Sequence, residues 1–275
     1  IQGAELGVRG GEKVPIIRHP DVRRMLMSMK AQVEAMRSLA YFTAASLDKA
    51  NRHPDAAERA RHQAFADLMI PVVKGWSTET SIEVTSTGIQ IQGGMGYVEE
   101  TGAAQYLRDA RITTIYEGTT AIQANDLIGR KIARDKGVTA QAVIAMMKTT
   151  DGQLAGAPGA DFSAMRAAFS DGVKALTEAT DWIVVTYSSD VKAASAGAVP
   201  FLQLFGIVAG GWQMARAALA AQAKLAAGDG EAPFYKAKIA TSRFYADHIL
   251  SQAPGLRNAI VNGAAGVLAL EETQF

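Results

Sequence analysis

Gln90-Ile91-Gln92-Gly93-Gly94-Met95-Gly96-Tyr97, Arg108-Asp109-Ala110-Arg111-Ile112 and Ile115-Tyr116-Glu117-Gly118-Thr119-Thr120-Ala121-Ile122-Gln123 follow one another between positions 90 and 123. A helical stretch, about Thr78–Ile91, runs into three glycines in four residues, and such a cluster must break it, so a loop is expected at residues 93–96. No strand precedes these glycines, and the strand, turn and helix order of a nucleotide fold is not met. Two readings stay open for them: a turn that ends a helix, or backbone brought close to a diphosphate. Glu117 is equally open. A carboxylate in the first turn of a helix can answer the helix dipole, or it can be a base.

Working outward, Val22, Met25, Met29, Val33 and Met36 recur at steps of three and four, which predicts a long helix from about His19 to Ala50 with one buried face. The Met-rich stripe from Met25 to Met36 reads as core or subunit interface. A turn at Asn51–Asp55 leads to a second helix, Ala56 to about Lys74, antiparallel to the first. After the glycines come a short helix over Ala103–Arg111, a connection over Ile112–Gly118, and a helix over Thr119–Lys136 capped by Thr119 or Thr120. Composition shifts at Asp151–Gly159, where Gly, Ala and Pro dominate, and the domain boundary is placed there, giving domains at 1–150 and 151–275. Met165, Phe169, Val173, Leu176 and Ile183 then mark a helix, and three more are expected over Val199–Ala227, Phe234–Gln252 and Leu256–Thr273. Strand signals are nearly absent. The expected fold is all-α, in two helical bundles.

Bulk properties narrow the function. Twenty-eight Lys and Arg against twenty-seven Asp and Glu leave a formal charge of +1, so no basic stripe points to nucleic acid or an anionic membrane. Small molecules or other subunits are the expected partners. The absence of Cys removes disulfides, thiolate zinc sites and a thiol nucleophile together, and fits a reducing compartment, with the cytoplasm as the expected location. Apolar runs are broken by charges, Gly or Pro, so no membrane span is expected, and no targeting signal is visible in Ile1–Pro20. Ile1-Gln2-Gly3 has no initiator Met and opens as if in mid-turn, which reads as a fragment of a longer chain. His19, His53, His62 and His248 lack paired-ligand spacing, and no metal is expected.

Residues 90–123 resemble, without a gap, the C-terminal helical domain of the acyl-CoA dehydrogenase family. That domain reads Gln-Ile-x-Gly-Gly-x-Gly-aromatic, then Arg-Asp-Ala-(Lys/Arg)-Ile, then Ile-Tyr-Glu-Gly-Thr-(Ser/Thr)-x-Ile-Gln. His19–Leu26, Leu204-Phe205-Gly206, Gly210-Gly211-Trp212, Ala237–Ala240 and Phe275 further resemble the extended branch with an additional C-terminal helical domain, to which the 3-(methylthio)propanoyl-CoA dehydrogenases belong.

The resemblance implies FAD-dependent α,β-dehydrogenation of an acyl-CoA thioester. Glu117 would take the α proton while a hydride leaves the β carbon for FAD. In relatives the backbone N–H of the base and a ribityl hydroxyl hold the thioester carbonyl. Gly118 would leave room for substrate and flavin. Tyr116 would line the acyl pocket, or simply pack as an aromatic. Thr119 matches an FAD contact beside the base, and Gln90, Gly93 and Gly94 match the stretch that reaches FAD, commonly from the neighbouring subunit. A homo-oligomer, with a dimer as the simplest form, and an electron-transfer flavoprotein as acceptor follow from the same likeness. Ala121 stands where many relatives carry a polar residue, and Gln2-Gly3 reduces the aromatic-Gly pair that usually follows an FAD-contacting Arg. Arg18, Arg23 and Arg24 could meet a phosphate or form a solvated face. Two rival readings remain: a catalytically inactive helical oligomerisation module, and an acyl-CoA oxidase on the same fold. Nitroalkane oxidases use Asp as the base, so Glu117 counts against them.

Overall fold

The computed structural model describes residues 1–275. Helices are its only regular elements, and the sole extended pairing is an isolated antiparallel bridge between Ala4 and Lys13. The long helices α1 (Pro20–Arg52) and α2 (Ala56–Gln92) are antiparallel, and a single turn, α3 (Gly94–Tyr97), follows. Next come α4 (Ala103–Thr113) and α5 (Thr120–Asn125), the latter continuing as a π-helical stretch over Asp126–Ile132. Then follow α6 (Val138–Ala155), α7 (Ala160–Ser189), α8 (Val191–Ala196), α9 (Ala198–Ala226), α10 (Ala232–His248), α11 (Ala253–Asn262) and α12 (Ala264–Val267).

Several boundaries differ from the sequence reading. The two helices expected over Ala56–Lys74 and Thr78–Ile91 are one, because Gly75 is a packing notch and not a break. A Cβ there would lie 2.7 Å from Leu202 Cδ1, so α9 rests directly on this turn of α2. Pro71 also lies inside α2, buried, with tertiary packing outweighing its missing donor. The expected loop at 93–96 is only Gly93, whose φ of 64° reverses the chain before α3. The helix expected over Thr119–Lys136 becomes α5 and the π-helical stretch, and it ends where Lys136 and Gly137 both adopt positive φ. Helix α6 was not anticipated, and its last residues take up part of the Asp151–Gly159 stretch. The last helix stops at Asn262 rather than Thr273, with only a short turn at α12 beyond it.

The core is a single cluster of 46 buried residues from Ala31 to Ile260, so both bundles share it. Helix α9 is its axis. By length and composition α9 could cross a membrane, contrary to the sequence reading that no such segment exists, yet 83% of its most apolar window is packed inside the protein. Its glycines are contact points. Gly206 receives the Trp76 ring of α2, Gly210 receives the Tyr245 hydroxyl and the same tryptophan, and Gly211 receives Leu250. Polar ties complete the joint: Trp212 Nε1 donates to Thr150 Oγ1 at 2.9 Å, and Tyr245 donates to the Ile207 carbonyl at 3.0 Å.

Candidate active site

Helix α4 ends at Thr113, and the residues before α5 form an exposed loop with Glu117 at its tip. Glu117 has φ 55° and Gly118 φ 86°, two successive left-handed residues. For a residue with a Cβ this conformation costs about 1–3 kcal/mol and persists only where the surroundings impose it. Here they do. Lys74, half-buried on α2, donates from Nζ to the carbonyls of Thr113 (2.9 Å), Tyr116 (3.1 Å) and Gly118 (2.6 Å). Gln123 Nε2 donates to the Glu117 carbonyl at 3.2 Å, and the Thr120 amide donates to the Thr114 carbonyl at 3.1 Å. Nearly every carbonyl of the loop is thus satisfied.

The amides are arranged the opposite way. The N–H groups of Glu117, Gly118 and Thr119 donate to nothing within the chain, and they lie on an exposed segment. Thr119 is the N-cap of α5, its hydroxyl accepting from the Ile122 amide at 3.4 Å, while Thr120 is buried and bonds to Glu79 of α2. Of the two threonines offered by the sequence, Thr119 is the cap. The φ of 86° is what favours glycine at 118; a Cβ there would also meet Gln123 Nε2 at 2.9 Å and displace that side-chain end. Tyr116 is 53% exposed, with the Lys74 ammonium 6.0 Å from its ring centre, and Ile112, Ile115 and Ile122 around it are also exposed. Within this chain Tyr116 is not part of the core.

Gln90, Gly93 and Gly94 sit at the far end of α2. The sixteen-residue step from Lys74 to Gln90 corresponds to about 24 Å of helix, so the chain does not bring the Gly-rich turn to the Glu117 loop. The three glycines play different parts. Gly96 is buried, and a Cβ on it would lie 2.4 Å from the Ile89 carbonyl oxygen, so it serves the turn itself. Gly94 has nothing within 4 Å of where a Cβ would be and has no positive φ, so nothing in this chain demands glycine there. Met95, Tyr97 and Tyr106 nearby are exposed.

Most of the remaining candidates have local partners, Arg23 excepted. His19 bonds to the Gln2 carbonyl at 2.7 Å and helps hold the N-terminal turn, and the Gln2 amide pairs with Val14. Arg24 pairs with Asp21 on its own helix, and Arg18 lies 3.9 Å from Glu5. His53 caps, His62 faces Glu58 and His248 stacks on Phe244, each with its own local partner. Sequence reasoning missed Lys74. Its only sequence signal is a lysine on the otherwise apolar stretch Met69–Trp76.

Fold and site together define a class. Residues 5–133 match the family model described as acyl-CoA dehydrogenase, C-terminal domain, and residues 139–271 match the one described as acetyl-CoA dehydrogenase C-terminal like. The chain belongs to the acyl-CoA dehydrogenase family, of which it carries C-terminal helical domains. It is 46% identical to 3-methylmercaptopropionyl-CoA dehydrogenase of Ruegeria pomeroyi, over 98% of this chain and 45% of that protein. Broad-specificity linear acyl-CoA dehydrogenase FadE5 of Mycobacterium tuberculosis is 34% identical, over 100% of this chain and 47% of that protein. An acyl-CoA dehydrogenase from Bacillus anthracis, solved in complex with FAD, has the same fold, with a TM-score of 0.68 at 16% identity over 96% of this chain and 45% of that one. The chain spans about half the length of the curated relatives it matches.

Proposed function

We propose that this chain forms one side of the active site of an FAD-dependent acyl-CoA dehydrogenase and that Glu117 is its base. The observation that carries the reading is the Glu117 loop. It combines an exposed carboxylate on a strained backbone, its own unpaired N–H, and a glycine immediately after it. An α proton beside a thioester is only weakly acidic, so its removal needs both a positioned base and a donor for the carbonyl oxygen as that oxygen gains charge. The Glu117 carboxylate supplies the first, and the Glu117 amide supplies the second.

FAD, when bound, accepts the hydride that leaves the β carbon. The residues present suit such a group: Thr119 offers an exposed segment beside the base, and Gly94 leaves open space where a side chain would stand. The separation of about 24 Å along α2 supports the idea that the Gly-rich turn serves the cofactor of a second copy of the chain. Exposed Met95, Tyr97 and Tyr106 give that end an apolar surface for the contact. An electron-transfer flavoprotein is the acceptor expected from family membership. The 46% identity to a 3-methylmercaptopropionyl-CoA dehydrogenase makes that thioester the first substrate to try.

The test is Glu117→Gln in the full-length flavoprotein. Turnover should fall by at least about 10²-fold while FAD stays bound. Flavin reduction by acyl-CoA at the parental rate would remove Glu117 from the mechanism. Parallel assays with an artificial acceptor and with oxygen separate a dehydrogenase from an oxidase.

A further inference from the structure

We infer that Lys74 is a positioning residue for the base: its ammonium group holds the Glu117 loop in the strained form that presents both the carboxylate and the free amide. This rests on the assignment of Glu117 made above. Three carbonyls separated along the chain, those of Thr113, Tyr116 and Gly118, converge on one Nζ at 2.6–3.1 Å. An ammonium has three donors and no acceptor, and all three are used here. Thr113 is the last residue of α4, whose terminal carbonyls lack helix partners and carry the negative end of the helix dipole, so a cation is favoured at that point.

None of the three carbonyls accepts a backbone hydrogen bond. Lys74 is therefore what sets the path of the chain on both sides of Glu117, since Tyr116 and Gly118 are its immediate neighbours. The lysine's own root is closely packed. Gly75 lies against Leu202 of α9 and against Gln123, whose amide also bonds the Glu117 carbonyl, and the next residue, Trp76, is wedged into Gly206. Through these contacts the second bundle, which adds no residue of its own to the loop, steadies the helix from which the base is held.

The experiment compares Lys74→Met, of similar length but without donors, with the parent and with Glu117→Gln, all as full-length flavoprotein. Displacing a reacting group by about 1 Å costs about 10²-fold, so kcat for Lys74→Met should fall by roughly that factor. The dissociation constant of an acyl-CoA analogue that cannot be oxidised, read from the shift of the flavin absorption band, should stay within about threefold of the parent, since binding contacts remain. Hydrogen exchange should accelerate for the hydrogen-bonded amides of Ile115, Tyr116 and Thr120 and stay unchanged in α1, α2 and α9.

A purely structural lysine would instead lower kcat, analogue affinity and flavin content together, with loss of protection across the helices, and that result overturns the inference. So does a Lys74→Met enzyme with kcat within threefold of the parent while Glu117→Gln is inactive. An active Glu117→Gln removes the underlying assignment instead. If Lys74→Met does not accumulate as folded protein, Lys74→Leu, also without donors and smaller, carries the same comparison.

Discussion

Replacing Gly206 by alanine would place a methyl group inside the joint between the bundles. Its Cβ would stand 2.1 Å from Trp76 Cγ and 2.6 Å from Trp76 Cβ and Cδ1. Ordinary carbon contacts lie at about 3.5–4.0 Å, so ring and helix must part by roughly 1.4 Å or more. Trp76 is 3% exposed and shares the single core, which leaves it no free direction of retreat. Overpacking of this kind costs about 1–3 kcal/mol, and so deep an overlap belongs at the upper end. Alanine in a helix regains about 1 kcal/mol over glycine. The net loss is then about 2 kcal/mol, or a fall in Tm of about 4–8 °C for a chain of this size. Gly152→Ala on α6 is the matched control. Nothing lies within 4 Å of its Cβ position, so the same substitution should stabilise by up to about 1 kcal/mol. Urea unfolding followed by far-UV circular dichroism and tryptophan fluorescence reads both. If the two variants shift in the same direction, or Gly206→Ala is as stable as the parent, the account of the α2–α9 joint is wrong.

Two further expectations follow from single contacts. Gly94→Asp should leave helicity and Tm unchanged, since no atom of the chain opposes a side chain there, but it should strip FAD from the full-length enzyme by setting a carboxylate toward a diphosphate. Equal flavin content in parent and variant would detach Gly94 from the cofactor. Glu34 of α1 receives hydrogen bonds from Lys238 of α10 and Lys30, both at 2.7 Å. Burial works to raise its pKa, but hydrogen bonds and charge from the two lysines outweigh it and hold the carboxyl below its ordinary value of 4.5. A depressed acid stabilises the fold above that value, and the contribution fades as pH falls through the folded-state value. Glu34→Gln should therefore lower Tm at neutral pH and flatten the loss of Tm under acid, and a parallel acid profile in parent and variant would contradict this.

Legibility in the sequence tracked distance along the chain. The period of Val22, Met25, Met29, Val33 and Met36 announces α1 because a helix repeats every 3.6 residues, although these five are only half-buried and the face α1 buries beside them is Ala31, Ala35, Leu39 and Thr43. Thr119 and Gly118 can be read as cap and turn because their partners lie within a few residues. The continuity of α2 through Gly75 is hidden for the opposite reason: a glycine that breaks a helix and one that admits Leu202 are identical until α9 is in place. Helix α6 lacks a clear signal because Val138–Ala155 is rich in residues that suit a helix without marking one face.

The local order of residues 90–123, their helical and turn chemistry and their likeness to one family belong to the sequence alone, since each depends on neighbours a turn or two away. The position of Lys74 beneath the Glu117 loop, the separation of Gly94 from Glu117 along α2, and the seating of Trp76 in Gly206 belong to the tertiary structure. Lys74 and Thr113 are 39 residues apart, and nothing in either side chain names the other. Only the packing of α4, α5 and α9 on α2 brings the ammonium to its three carbonyls, because close packing decides which surfaces of each helix meet, and a one-dimensional pattern carries the faces but not their pairing.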